Sequence, residues 1–127
     1  FAIIRTDAPF EVRGAGFESF FHAGSLDFPA DKAAHFNHVA SAVPTVFSIY
    51  LDRAAILTSV VDSMNAIVAD YGAADSALLK VLFGEAQPEG KLPFDLPRSM
   101  AAVEASREDV PFDTENPLFK FGFGLSL

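Results

Sequence analysis

The strongest constraint on the fold is an alternation of short apolar runs with helix-patterned segments. "FAIIR" (Phe1–Arg5), "TVFSIYL" (Thr45–Leu51) and "NAIVADYG" (Asn65–Gly72) are rich in β-branched and aromatic residues, as strands are. Between and after them stand "PADKAAHFNHVASAV" (Pro29–Val43) and "DSALLKVLFG" (Asp75–Gly84), with apolar residues at helical spacing. In the first of these, Phe36, Val39, Ala40 and Val43 share a face, Pro29 suits the first turn and Pro44 stops the helix. In the second, Asp75 is placed to cap, Ala77, Leu78, Val81 and Leu82 line one face, and Gly84 closes it. The segment from Asp52 to Met64 reads both ways: Ile56, Thr58 and Val60 alternate, while Leu57, Val60, Val61 and Met64 recur at helical spacing. A short helix fits it slightly better. The order strand, helix, strand, short helix, strand, helix predicts an α/β fold with a mostly parallel sheet and right-handed crossovers. "FAIIR" is expected to be a buried strand.

A chain of 127 residues holds one domain at most, and half of them are hydrophobic, 14 being phenylalanine, so there is material for a packed core. The formal charge of −8 argues against a nucleic-acid partner, which needs Lys and Arg to neutralise phosphates. There is no cysteine, hence no disulfide, thiolate chemistry or Cys-ligated zinc; this fits any compartment. No apolar run is long and uncharged enough to cross a bilayer, so no membrane partner is expected. No signal peptide is visible, and the chain opens inside an element, which reads as a piece of something longer.

Few chemical motifs stand out. "GAG" (Gly14–Gly16) is too short for a dinucleotide fingerprint and there is no Walker-type loop, so no cofactor is expected. His22, His35 and His38 make no metal pattern. Ser25 lacks the elbow of a hydrolase nucleophile. His22 and Asp27 are placed to contact a polar ligand, or else sit in a loop anchored by its phenylalanines. The long loop from Thr6 to Phe28 carries the more suggestive group. Glu11 follows the first strand at its carboxyl end, the edge where open α/β sheets bind ligands. A general acid needs a raised pKa, from burial or a like charge, and Arg5 or Arg13 nearby would act the other way.

The last third of the chain holds "ALLKVLFGEAQPEGKLPFDLP" (Ala77–Pro97) followed by "NPLFKFGFGLS" (Asn116–Ser126). In that order these segments resemble glycoside hydrolase family 3, the β-glucosidases, β-xylosidases and related exo-acting enzymes. Gly84 and Gly90 suit a helix end and a tight turn, Pro93 and Pro97 an extended segment. Phe121 and Phe123 are expected to dock the tail on the core, with Gly122 and Gly124 allowing close backbone approach.

That resemblance implies a three-layer α/β sandwich with a small, mostly parallel sheet. Residues 1–127 would be the later part of the family's C-terminal domain, without the (β/α)8 barrel that precedes it in family members. It implies that the full-length parent hydrolyses O-glycosidic bonds by a retaining two-carboxylate mechanism, with this piece lending an active-site loop. In that loop the family places its acid/base glutamate three residues before a glycine, and "FEVRG" gives Phe10, Glu11 and Gly14. Glu11 is thus the candidate acid/base, with Glu18 and Asp7 as rivals, because relatives carry Gly-Glu where this chain has Thr6-Asp7. Arg13 and His22 are the candidate substrate contacts. The implied partners are the missing barrel or another copy of the chain and, in the parent, a β-glycoside. An exposed sheet edge or apolar face is expected there, and the chain alone is expected to be inactive. The alternatives are a non-catalytic structural or oligomerisation module and a free-standing carbohydrate-binding domain. The latter is disfavoured by the absence of Trp and by Tyr50 and Tyr71 falling in expected strands, where they would pack in the core.

Overall fold

The computed structural model describes residues 1–125. Ser126, the last residue of the tail motif, lies outside them. The elements follow in the order β1 (Ala2–Asp7), α1 (Ala30–Ala42), β2 (Thr45–Tyr50), β3 (Ala66–Asp70), α2 (Asp75–Leu82) and α3 (Met100–Ala105). Short 3-10 helices occupy Gly16–Phe20 and Val61–Ser63. The sheet has the order β1-β2-β3 and both pairings are parallel. Its register places Asp7, Tyr50 and Asp70 side by side at the carboxyl edge.

β2 lies in the middle, and Thr45, Phe47, Ser48 and Ile49 are all buried. One face carries Ile4, Phe47, Ile49, Ile67 and Ala69 into the main core. α1 covers that face with Ala33 and Phe36, and the loop before α1 adds Phe28. Phe28, Phe36 and Phe47 meet edge to face, with centroids 5.3 Å apart for Phe36–Phe47 and 6.0 Å for Phe28–Phe47. The residues of Ile3 and Arg5 face the other way, toward α2. Arg5 binds the Asp75 carboxylate, donates to the Ala73 carbonyl at 2.7 Å and lies 3.7 Å from Asp70. Phe1 meets Phe83 edge-on. With a helix on each face, the chain is a three-layer α/β sandwich.

Several expectations are corrected. β1 is not buried: it is an edge strand whose residues alternate between half-buried and exposed, because its Ile4 side packs on the core while the α2 side leaves Ile3 and Arg5 exposed. Asp75 does not cap α2; Ala74 holds the cap position without a side-chain bond, and Asp75 pairs with Arg5 instead. On α2, Leu78 is buried and Ala77 is exposed. The ambiguous segment forms only one helical turn, yet Leu57 and Val60 are buried. Tyr71 falls past the end of β3 and is 52% exposed rather than in the core; Tyr50 is half-buried.

The tail pairs with the segment after α2 through Leu96 N–H to Phe119 O, Leu118 N–H to Leu96 O and Gly122 N–H to Leu92 O, each at 2.8 Å. Leu118 and Phe119 dock on the core, not Phe121 and Phe123, which are half exposed. A turn bonded from Phe123 N–H to Lys120 O, with Gly122 at φ +78°, breaks the extended run and lifts both rings off the core. Gly124 meets its expectation: a Cβ there would lie 2.6 Å from the Gly90 carbonyl oxygen.

Candidate functional site

The loop between β1 and α1 leaves the carboxyl edge of the sheet. Ala8 N–H bonds the Tyr50 carbonyl at 2.9 Å, which extends the β1–β2 pairing one residue past the strand. Two chain segments then form a neck. Glu11 and Ala23 make an antiparallel bridge, with Glu11 N–H donating to Ala23 O at 2.9 Å. One residue back on each side, the rings of Phe10 and His22 stack flat, 3.8 Å between centroids and 2° between planes. His22 Nδ1 also pairs with the Asp52 carboxylate.

Beyond the neck the loop is a projecting lobe. Val12, Phe17 and Phe20 are largely exposed there, and Phe17 packs edge-on against Phe21. The lobe is closed by the 3-10 helix at Gly16–Phe20, which buries no residue.

Glu11 is exposed, and its carboxylate is held on both oxygens. Oε2 accepts from Arg13 Nη2 at 2.7 Å and Nε at 3.1 Å, and Oε1 accepts from the Ser25 N–H at 3.3 Å. The Arg13 hydrogen bond, followed by the Ser25 amide, holds the Glu11 pKa below its ordinary 4.5. Glu11 is therefore a carboxylate at neutral pH, the form of a general base. Its side chain lies across Gly24, which has φ +85°; a Cβ there would fall 2.3 Å from Glu11 Cδ. Glu18, on the 3-10 helix, lies likewise over Gly14, whose Cβ would fall 2.3 Å from Oε2. Among the described residues Glu18 has no ion-pair partner. Asp7 ends β1 beside Tyr50, exposed.

The structure thus brings Glu11, Arg13 and His22 to one loop at the carboxyl edge, with Glu18 in the lobe beyond. It takes Arg5 elsewhere, to Asp70 and Asp75, so among the described residues Arg13 is the ion-pair partner of Glu11, and the charge of Arg53 adds a smaller pull in the same direction. Arg13 faces Glu11, and His22 is engaged by Phe10 and Asp52. Asp27 bridges to Ile56, with its N–H on Ser25 Oγ. The sequence reading missed Asp52 and Arg53. Arg53 donates to the Ala23 carbonyl at 2.8 Å and to the Gly24 carbonyl at 2.9 Å. Their signal was positional: they follow β2 at the same sheet edge that Glu11 follows from β1.

The sandwich and its long edge loop define the class, and comparison with known proteins gives the family. Residues 11–127 match the family described as "Glycosyl hydrolase family 3 C-terminal domain", and the chain belongs to that family. It is 54% identical over 125 residues to beta-glucosidase C of Emericella nidulans, covering 98% of this chain and 20% of that protein. It is 44% identical over 128 residues to the periplasmic beta-glucosidase/beta-xylosidase of Dickeya chrysanthemi, covering 98% and 20% respectively. The chain therefore spans about a fifth of the length of the curated relatives it matches. Among solved structures it is similar in fold to a beta-glucosidase from Listeria innocua in complex with isofagomine. That match has a TM-score of 0.73 and 17% identity, and covers 98% of this chain and 20% of the other.

Proposed function

We propose that this chain is the later part of the C-terminal domain of an exo-acting, β-glucosidase-like retaining glycosidase, and that its β1–α1 loop lends Glu11 as the acid/base. The observation that carries the reading is the presentation of Glu11: an exposed carboxylate, on a backbone-paired neck, past the carboxyl ends of parallel strands. The nucleophile and the sugar pocket are assigned to a barrel in the rest of the parent. Retention needs the two carboxyl groups about 5–5.5 Å apart across the scissile bond. A second carboxylate at that distance, with burial on closure, would raise the Glu11 pKa and counter Arg13, turning a base into an acid.

The partner surface lies on the open side of β1. Phe1, Ile3, Leu79 and Phe83 are exposed there beside a strand edge that is unpaired among the described residues. The rest of the parent covers it in this reading. The same surface favours the second reading, a structural or oligomerisation module that only supports the barrel.

The test is Glu11→Gln in the full-length enzyme. Loss of about 100- to 10,000-fold in kcat/KM on alkyl β-glucosides is expected. Azide should restore turnover of activated substrates and give a glycosyl azide of retained configuration. Unchanged kinetics would leave the structural module. The same behaviour in Glu18→Gln, with Glu11→Gln silent, would move the role to Glu18, whose carboxylate lacks a cationic partner among the described residues. The purified chain alone should hydrolyse no aryl β-glucoside.

A further inference from the structure

We propose that Arg53, with Asp52 beside it, is the positioning device for Glu11: the dipeptide grips the neck of the loop from the end of β2 and fixes where the carboxylate stands. The inference rests on the reading of Glu11 as acid/base and names the residues that would make it effective.

The chain of contacts is short. β2 ends at Tyr50, and Leu51, buried, bonds the Asp70 carbonyl through its N–H at 2.9 Å. Asp52 and Arg53 are thus anchored to the rigid centre of the sheet, not to the loop they hold. Asp52 takes the His22 ring, which Phe10 backs over its full face. Phe10 and His22 are the residues immediately before Glu11 and Ala23, so this contact sets the two segments of the neck against each other.

Arg53 acts on the next rung. Its two terminal nitrogens bind successive carbonyls, Ala23 and Gly24. The Ala23 oxygen also accepts the Glu11 N–H, so the guanidinium and the Glu11 backbone meet on one atom. The Gly24 backbone lies directly beneath the Glu11 side chain, and the next amide, of Ser25, bonds Glu11 Oε1. Arg53 therefore pins the strip of backbone on which Glu11 rests. A planar fork can hold two carbonyls at once in a set orientation, which a lysine ammonium on a flexible stem does not reproduce. Displacement of a catalytic group by about 1 Å can cost about 100-fold in rate.

The experiment uses the full-length enzyme and two classes of β-glucoside. An alkyl leaving group needs protonation by the acid; a dinitrophenyl leaving group departs without it. kcat/KM reports the glycosylation step for both. Arg53→Ala should lower kcat/KM on the alkyl glucoside by about 100-fold and leave the dinitrophenyl glucoside nearly unchanged. Arg53→Lys should show the same split, reduced in size, and carries the test if Arg53→Ala does not fold. Equal loss on both substrates overturns the proposal, since it marks a residue that only supports the fold. No loss on either also overturns it. Glu11→Gln, assayed alongside, separates the two ideas. A split there without one in the Arg53 variants removes the positioning role alone. No split in Glu11→Gln removes the Glu11 assignment and the positioning role with it.

Discussion

Two groups of three phenylalanines stand close together in the chain and end in opposite surroundings. Phe28, Phe36 and Phe47 are each at most 6% exposed; Phe17, Phe20 and Phe21 are each at least 59% exposed. Ring-to-ring geometry does not separate them: Phe17–Phe21 and Phe36–Phe47 have the same centroid distance, 5.3 Å, and both are edge-on. The difference lies in what backs the rings. The buried group has α1 and the central strand behind it. The exposed group stands on, or directly after, a 3-10 helix that buries none of its own residues. An aromatic pair contributes about 0.5–1.5 kcal/mol beyond its area, whereas full burial of such a side chain contributes about 1.5–3 kcal/mol. Contact between rings is thus the smaller part of the matter, and removal from water the larger.

Three substitutions test that contrast. Phe47→Ala should have the largest effect, destabilising the domain by about 3–5 kcal/mol in denaturant unfolding, through lost burial and a cavity beside Phe36. Phe17→Ser should change stability by no more than about 0.5 kcal/mol. A cost for Phe17→Ser near that of Phe47→Ala would show that the lobe has a core of its own, and the contrast would fall.

Arg13→Ala tests whether polar contacts rather than rings order the lobe, and its effect on stability at neutral pH should be the smallest. It should raise the Glu11 pKa toward the ordinary 4.5, as read by carboxyl NMR titration. The sign follows from linkage. A carboxylate with a lowered folded-state pKa adds stability above its unfolded value, and that addition is lost as the pH falls through the lowered value. The difference between wild type and Arg13→Ala should therefore shrink on acidification below about 4.5. A Glu11 pKa unmoved by the substitution would mean that the Ser25 amide, not Arg13, governs it.

The legible part of the fold was the part written in periodicity. The three strands and two of the helices follow from β-branched runs and helical spacing, and their ends lie within two residues of the expected ones. What periodicity does not encode is which strand lies at an edge. Phe1 and Ile3 read as core residues because a parallel strand is normally covered on both faces. The tail misled for a related reason: its phenylalanines recur two apart, but the turn at Gly122 interrupts the alternation on which that spacing depends. α3 has no counterpart among the expected elements; its signal was Ser99, which caps it by accepting the Ala102 N–H.

At the candidate site, the place of Glu11 at the sheet edge could be read from order along the chain. Its grip could not, because Asp52 and Arg53 are far away in sequence and join the loop only once β1 and β2 pair. Arg5 illustrates the converse. It is near Glu11 in sequence, yet strand alternation turns it to the α2 side, where it meets Asp75.

Gly24 has a consequence for how this loop tolerates change. Its positive φ strains any other residue there, and a Cβ would push the Glu11 side chain out of its place. In a saturation library selected for activity, codon 24 should therefore return almost only glycine, giving a profile as restricted as that of a reacting group. Gly14, beneath Glu18, should do the same if Glu18 is the group under selection. The pattern of tolerance at two glycines, neither with any chemistry of its own, would then tell which of the two acids the enzyme uses.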